Sequence, residues 1–215
     1  MRAIVVAGGS PDPADATHLT DADLLVAADG GAAWLMAAGR QPDLLVGDMD
    51  SIAPTLLGEL ERAGVRIERH PVAKEASDLE LALDAAVRAG ASELTILGAL
   101  GGRRLDHELA NLLLLADAGW EGRGVELRIV RGVTVVRALR GPGAMSLAGV
   151  PGSGVTLLPL GDDAHGVSTT GLRFPLYGEP LHLGRSRGLS NVVETSPARV
   201  ELAAGTLLII EGDHS

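Results

Sequence analysis

The chain has 215 residues, of which 46% are hydrophobic, and its formal net charge is −10. It contains no cysteine, which excludes disulfides, thiol catalysis and cysteine-bound zinc, and leads us to expect a cytoplasmic protein. The acidic charge argues against a nucleic-acid partner, and no apolar run reaches the roughly 18 residues that would cross a membrane.

Short apolar runs alternate with helical patterns along the first 131 residues. The predicted strands are residues 3–7, 24–28, 44–46, 65–68, 94–97 and 127–130, and the predicted helices lie near 32–38, 54–63, 78–89 and 106–118. Fully apolar strands that alternate with helices are typical of a parallel sheet. We therefore predict an α/β domain over residues 1–131.

Two of these helices have clear start signals. Ser77 is a predicted N-cap with Glu80 three residues later, which is the pattern of a capping box. Asp106 is expected to open a helix that Gly119 closes. Its predicted apolar stripe is formed by Leu109, Leu112, Leu113 and Ala116.

After about residue 131 glycine and proline interrupt a series of short β-type runs. These predicted strands are residues 133–139, 155–158, 181–183, 200–202 and 206–210. Several short strands at such spacing indicate an all-β sandwich, which we place over residues 132–215.

Two carboxylates follow the apolar strand at residues 44–46. Asp48 and Asp50 are two positions apart, so in an extended segment their side chains point to the same side and can converge on one cation. Mg²⁺ usually takes one or two protein carboxylates and completes its shell with water and phosphate oxygens. The alternative interpretation is an ordinary turn, in which glycine and aspartate are common.

Other acidic residues also follow predicted strands. Asp29 comes directly after residues 24–28, and Asp106 comes after residues 94–97 and a glycine-rich loop. Ligands of open parallel sheets bind outside the carboxyl ends of the strands, where these acids are expected. Asp78 joins them from the first turn of a helix, although by itself it could serve only to cap that helix.

The loop at residues 98–104 has the features of an anion site. Its glycines allow the backbone to approach an anion, the helix after it offers free N–H groups, and Arg103 can bind phosphate oxygens in a bidentate manner. Lys74 could reach a phosphate from another loop. Neither the P-loop pattern nor the dinucleotide fingerprint occurs in the sequence.

Taken together, these segments resemble one family, the thiamine pyrophosphokinases. The resemblance runs through residues 28–32, 42–52, 78–83, 98–107 and Asn111, and in the second half through residues 157–160, 171–176 and 188–191. It implies a Rossmann-like catalytic domain followed by a β-sandwich that binds thiamine, and a homodimer with shared active sites. It also implies transfer of pyrophosphate from ATP to the hydroxyl of thiamine, which yields thiamine diphosphate and AMP.

The resemblance also implies roles for individual residues. Asp48, Asp50, Asp78 and Asp106 are expected to act in catalysis with Mg²⁺, and Arg103 is expected to hold phosphate. The residues expected to bind the nucleotide are Asp29, Gly30, Lys74, Ser77, Gly101, Gly102, Arg103 and Asn111. The residues expected to approach thiamine are Asp78, Ser190 and Asn191.

Two alternatives stay open at this point. The chain could be a pyrophosphokinase for another hydroxymethylated heterocycle, such as a pterin, or a thiamine- or nucleotide-binding protein without catalytic activity. The motifs of the second half argue against the pterin substrate, and the aspartates argue against an inactive protein.

Overall fold

The computed structural model describes residues 1–213, and the chain divides into two compact units, Met1–Gly132 and Val133–Ser215. We call them the first and the second unit. None of the helices described is both long and apolar enough to pass through a membrane.

The first unit is built on six parallel strands in the order β6-β5-β1-β2-β3-β4. The strands are β1 (Arg2–Val6), β2 (Leu24–Ala28), β3 (Leu44–Gly47), β4 (Arg66–Arg69), β5 (Glu93–Leu97) and β6 (Glu126–Arg131). The helices are α1 (Gly31–Ala37), α2 (Pro54–Arg62), α3 (Asp78–Arg88), α4 (Leu105–Leu114) and α5 (Ala118–Gly122), with a 3₁₀ helix at Pro13–Asp21. The predicted parallel α/β arrangement is confirmed. Because all pairings are parallel, the carboxyl ends of the strands lie at one edge.

Helix α3 connects the core to that edge. Its inward face carries Leu79, Ala82 and Leu83, which are buried, and the helix contacts β1, β2 and β3. The predicted N-cap is confirmed, since Oγ of Ser77 accepts a hydrogen bond of 3.2 Å from the N–H of Glu80. The first residue of the helix, Asp78, is thereby held beside the end of β3.

The prediction of one helix over residues 106–118 is wrong. Helix α4 ends at Leu114, where the indole N–H of Trp120 donates to the terminal carbonyl at 2.8 Å. The side chain of Asp117 accepts a hydrogen bond of 2.8 Å from the N–H of Gly119 and so caps a separate helix, α5. Gly119 therefore lies inside a helix rather than after one.

The apolar stripe predicted for this segment is also not a core face. No residue of α4 is buried, and the side chains of Leu109 and Leu113 are more than half exposed. A periodic apolar pattern shows that a face avoids water but not what covers it.

The second unit contains antiparallel strands of two sheets, in the orders β12-β9-β14-β7 and β11-β10-β13-β8. The strands of the first sheet are β7 (Thr134–Arg140), β9 (Gly154–Pro159), β12 (Asn191–Val192) and β14 (Thr206–Gly212). Those of the second are β8 (Gly143–Ser146), β10 (Ala164–Thr170), β11 (Tyr177–Leu181) and β13 (Arg199–Leu202). Both sheets contribute to a single buried cluster, for example Leu157 and Ile209 from one and Val167 and Val200 from the other.

The strand prediction for this unit is correct for β7, β9, β13 and β14. The strand predicted at residues 181–183 is misplaced, since β11 ends at Leu181. Strands β8, β10 and β12 were not predicted, because they are short or rich in glycine, serine and threonine and lack a strong apolar run.

Within the second unit, one buried ion pair also binds the loop that follows β8. Glu211, on β14, is 4% exposed and accepts hydrogen bonds from the guanidinium of Arg137 on β7. It also accepts from the backbone N–H groups of Ala148 and Gly149, at 2.6 and 3.1 Å. The carboxylate therefore accepts from three donors, and its removal would take an acceptor from each of them.

We expect Glu211→Ala to destabilise the chain by about 3 kcal/mol, because it leaves the partly buried charge of Arg137 without a carboxylate and takes the acceptor from two backbone N–H groups. Chemical unfolding followed by circular dichroism measures the change. The matched control is Glu201→Ala, which removes the carboxylate of an exposed pair with Arg199 and should cost less than about 1 kcal/mol. Equal losses in the two variants would contradict a special role of Glu211.

Candidate active site

Three carboxylates converge at the carboxyl edge of the parallel sheet. Asp29 follows β2, Asp48 follows β3, and Asp78 begins α3. One carboxylate oxygen of each lies within 4.8 Å of the others. We call Asp29, Asp48 and Asp78 the carboxylate cluster.

A glycine makes this close approach possible. Gly47 has a φ of +151°, and a Cβ there would lie 3.0 Å from Cβ of Asp29 and 3.1 Å from Oδ1 of Asp78. A larger residue would be strained in this backbone conformation and would push the two acids apart. Gly47 is therefore part of the site, although it contributes no side chain.

The ammonium of Lys74 lies between two members of the cluster. Nζ donates to Oδ2 of Asp48 at 2.9 Å and to Oδ1 of Asp78 at 2.6 Å. The hydrogen bond from Lys74 is the main reason that the pKa of Asp48 is lowered. Burial acts to lower the pKa of Lys74, but the hydrogen bonds to Asp78 and Asp48 outweigh it, so that this pKa is raised.

Asp29 is in a different environment from the other two. Its residue is only 6% exposed, Oδ2 accepts a hydrogen bond of 3.2 Å from the N–H of Ser51, and Oδ1 has no hydrogen-bond partner among the residues described. Burial is the main cause that raises the pKa of Asp29, and the negative charges of Asp78 and Asp50 add to it. A buried oxygen without a donor calls for a cation.

The chemistry of the cluster fits a divalent metal ion. It offers hard carboxylate oxygens, one of them buried and unpaired, at the edge of a sheet where substrates bind. The residues that could hold the ion are Asp29, Asp48 and Asp78.

The cluster lies in a cleft of about 920 Å³ within the first unit. On its other side the cleft is lined by the glycine-rich loop and by α4, including Gly102, Arg103 and Asn111. The side-chain amide of Asn111 donates to the carbonyl oxygen of Ala99 at 2.8 Å and so fastens that loop to α4. Cationic and carboxylate groups thus face one cavity, as a site for a metal and a phosphate requires.

Two predicted metal ligands lie outside the cluster. Asp50 lines the cleft, with Oδ1 accepting a hydrogen bond of 2.8 Å from Oγ of Ser51. Asp106 is bound by Arg104, with Nη2 and Oδ2 only 2.5 Å apart, and its side chain is 64% exposed. The hydrogen bond from Arg104 is the main cause that lowers the pKa of Asp106. Its position after β5 was predicted correctly, but its partner was not foreseen.

The remaining predicted nucleotide residues have mixed surroundings. Gly30, Lys74 and Ser77 line the cleft together with Gly102, whereas Gly101 is exposed and its Cα faces the guanidinium of Arg131. The hydroxyl of Ser77 is already used as the N-cap of α3.

The two predicted thiamine residues belong to the second unit. Ser190 is exposed, with a positive φ of 55°. Asn191 is buried, and its side-chain amide forms two hydrogen bonds with the backbone of Phe174. Nδ2 donates to the carbonyl of Phe174 at 2.8 Å, and Oδ1 accepts from the N–H of Phe174 at 3.0 Å. Asn191 therefore orients Phe174, whose residue is 55% exposed.

Sequence reasoning did not anticipate the roles of Gly47, Ser51 and Phe174. It placed Asp29 with the other acids at the carboxyl ends of the strands and expected it to bind the nucleotide, but it did not count Asp29 among the metal ligands. The signal for Asp29 was present, because it follows β2 as Asp48 follows β3, and neighbouring parallel strands end side by side.

Comparison with known proteins agrees with this arrangement. Residues 16–127 match the family model "Thiamin pyrophosphokinase, catalytic domain", and residues 147–207 match "Thiamin pyrophosphokinase, vitamin B1 binding domain". The two matches fall on the parallel α/β unit and on the antiparallel unit in turn, and together they define a known class of transferases. The chain belongs to the thiamin pyrophosphokinase family, as the sequence motifs predicted.

Individual relatives support the same assignment. The chain is 28% identical over 216 residues to thiamine pyrophosphokinase from Bacillus subtilis, with 98% of each covered. The crystal structure of thiamine pyrophosphokinase from Bacillus subtilis is 27% identical, with a TM-score of 0.88 and full coverage of both chains. Thiamin pyrophosphokinase from Geobacillus thermodenitrificans is also 27% identical, with a TM-score of 0.83 over 100% of this chain and 99% of that one.

The environment of Asp29 leads to a prediction about stability. Its folded-state pKa is raised, so ionisation of this carboxyl costs stability as the pH rises above its unfolded-state pKa, and this cost disappears as the pH falls below that value. With EDTA present at pH 7, we expect Asp29→Asn to melt about 2–4 °C higher than wild type, which is about 1 kcal/mol for a chain of this size.

The melting difference should shrink as the pH is lowered through the folded-state pKa of Asp29, because the wild-type carboxyl then takes up a proton. Asp84→Asn, which removes an exposed carboxylate paired with Arg123, is the control and should not show this pattern. A variant that melts lower than wild type at every pH would show that the Asp29 carboxylate stabilises the fold.

Proposed function

We propose that this chain transfers the pyrophosphoryl group of ATP to the hydroxyl of thiamine, which yields thiamine diphosphate and AMP, at the carboxylate cluster of the first unit. The observation that carries the proposal is the convergence of Asp29, Asp48 and Asp78 in a cleft that Arg103 also lines. Family membership supplies the substrate class.

The two units are assigned different tasks. We interpret residues 1–131 as a Rossmann-like domain that binds ATP and metal, supported by the parallel sheet and the acids at its carboxyl edge. We interpret residues 132–215 as a β-sandwich that binds thiamine, supported by two antiparallel sheets with one shared core. The cysteine-free sequence is the basis for placing the protein in the cytoplasm.

The proposed cofactor is Mg²⁺, held by Asp29, Asp48 and Asp78. When bound, Mg²⁺ neutralises charge on the phosphate oxygens and so favours nucleophilic attack. Asp50 lines the same cleft and is proposed to complete the polar surroundings of the site. Asp106 would have to give up its pairing with Arg104 to take part.

The other residues of the cleft position the triphosphate. Arg103 can bind phosphate oxygens with two parallel hydrogen bonds, and the glycine-rich loop brings backbone N–H groups close to them. The thiamine hydroxyl attacks the β-phosphorus, AMP leaves, and the hydroxyl proton passes to a carboxylate of the cleft. Such transfers depend mainly on positioning and on electrostatic stabilisation, which these groups can provide.

Thiamine is proposed to contact the surface formed by Ser190 and Phe174. The amide of Asn191 binds the backbone N–H and C=O of Phe174, so the backbone position from which the phenyl side chain extends is fixed. A cationic heterocycle gains from an aromatic face of this kind. In this proposal Asn191 acts through Phe174 rather than through a direct bond to thiamine.

We further propose a homodimer with shared active sites. Helix α4 lines the cleft through His107, Glu108 and Asn111, yet it leaves Leu109 and Leu113 exposed beside it. Apolar side chains at helical spacing next to a substrate cleft are best explained by a partner that covers them. A second copy of this chain is the proposed partner, because the family resemblance implies a dimer.

Activity with different acceptors distinguishes the candidate functions. We expect Mg²⁺, ATP and thiamine to yield AMP, and Asp48→Asn to reduce turnover by at least about 100-fold, because it removes a metal carboxylate at nearly constant side-chain volume. Asp84→Asn is the control for charge loss at the surface. The thiamine assignment would be contradicted if AMP formed only with a pterin alcohol, or if no acceptor yielded AMP.

The dimer proposal is tested by sedimentation equilibrium. Each chain has a mass of 22.0 kDa, so the dimer is expected at twice 22.0 kDa. The double variant Leu109→Lys with Leu113→Lys should sediment as a monomer, because charged side chains on the proposed contact oppose burial. Val150→Lys, at another exposed apolar residue, should remain dimeric. A wild-type chain that is monomeric at assay concentrations would overturn the proposal.

A further inference from the structure

The sole lysine of the sequence, Lys74, lies between two members of the carboxylate cluster. It lies in the loop between β4 and α3, and its side chain is only 13% exposed. Its ammonium forms ion pairs with Asp48 and Asp78, two of the three acids that could hold a metal ion.

The hydrogen bonds of Lys74 and the proposed metal site use the same two carboxylates. Nζ lies 2.9 Å from Oδ2 of Asp48 and 2.6 Å from Oδ1 of Asp78. Mg²⁺ requires oxygen ligands at about 2.0–2.1 Å and tolerates little distortion of its geometry. The ammonium and a divalent ion cannot both lie between these two carboxylates, so their binding is competitive.

We propose that Lys74 is an exchangeable counter-ion of the cluster, which leaves Asp48 and Asp78 when the metal binds and then contacts the triphosphate in the same cleft. This inference rests on the proposed function. The cleft that Lys74 lines also includes Arg103 and the glycine-rich loop, so bound nucleotide would place its phosphates in the same cleft as the displaced ammonium.

The consequence is a thermodynamic coupling between metal and nucleotide. Without nucleotide, the metal must displace the Lys74 ammonium from two charge-assisted hydrogen bonds, and no phosphate is present to replace them. With nucleotide, the phosphates supply that replacement. Metal and nucleotide therefore strengthen each other's binding, and by linkage the factor is the same in both directions.

The properties of lysine suit this exchange. Its ammonium is a compact charge on a flexible four-carbon chain, whereas the rigid guanidinium of arginine would hold two carboxylates in a fixed fork. In the conformation described, Lys74 also keeps the like charges of Asp48 and Asp78 from repelling one another. Lys74 thus stabilises the cluster and also competes with the metal ion for Asp48 and Asp78.

The test measures Mn²⁺ binding by electron paramagnetic resonance, with and without the α,β-methylene analogue of ATP. In Lys74→Met, free Mn²⁺ should bind at least about tenfold more tightly than in wild type, since no ammonium has to be displaced. The analogue should tighten Mn²⁺ binding at least about tenfold in wild type, and by about threefold or less in the variant.

The matched control is Arg88→Met, which removes one positive charge from an ion pair with Glu68 outside the residues that line the cleft. It should leave Mn²⁺ binding within about twofold of wild type, because the loss is distant from the cluster and screened by solvent. The melting temperature in EDTA gives a second readout, and Lys74→Met should lower it because Asp48 and Asp78 lose their counter-ion.

The outcomes separate this inference from the proposed function. If wild type binds Mn²⁺ and Lys74→Met binds it with the same affinity and the same gain from the analogue, the counter-ion role is wrong and the metal site stands. If neither protein binds Mn²⁺, even with the analogue, the proposed metal site is wrong and the inference fails with it.

Discussion

The structure of the first unit depends on electrostatic repulsion that is held in check at the edge of the sheet. Asp29, Asp48 and Asp78 bring carboxylate oxygens within 4.8 Å of one another, and the packing of α3 against β2 and β3 keeps them there. Like charges at such distances oppose folding unless a cation offsets them. Lys74 supplies such a cation to Asp48 and Asp78. The side chains that stabilise the cluster therefore also belong to the proposed active site.

The hydrophobic core supplies the force that holds this arrangement. The strands β1, β2, β3 and β5 are almost completely buried. Helix α3 packs against β1, β2 and β3, and its residues Leu79, Ala82 and Leu83 are buried. Burial of this kind contributes about 25 cal/mol per Å² of apolar surface, which is large compared with the cost of a few exposed or paired charges. The edge of the sheet can therefore carry an unfavourable cluster because its centre is strongly apolar.

Much of this could be predicted from the sequence, because it depends on local patterns. The parallel strands follow from apolar runs, the start of α3 follows from Ser77, and the position of Asp48 follows from the end of β3. Side-chain partners are a different matter, since they depend on atoms that only the fold brings together. Nothing local to Asp48 shows that Lys74, 26 residues later, binds it, and nothing local to Asn191 shows that both the oxygen and the nitrogen of its amide bind Phe174.

The errors in helix and strand prediction have the same origin. The leucines of α4 have the period of a buried face, yet they are exposed, because periodicity does not identify the covering surface. Strand β10 has little apolar character of its own and is fixed by antiparallel pairing with β11 and β13. Tertiary contacts decide both cases, and a single sequence does not contain them.

Backbone strain points to the same places as the chemistry. Within residues 1–213, the non-glycine residues with positive φ are Asp29, Met49 and Ser190. Each such conformation costs about 1–3 kcal/mol and persists only where the surroundings impose it. Asp29 belongs to the cluster, Met49 separates Asp48 from Asp50, and Ser190 precedes the asparagine that orients Phe174. Strain at both the proposed metal site and the proposed thiamine surface indicates that these segments are shaped for binding rather than for stability.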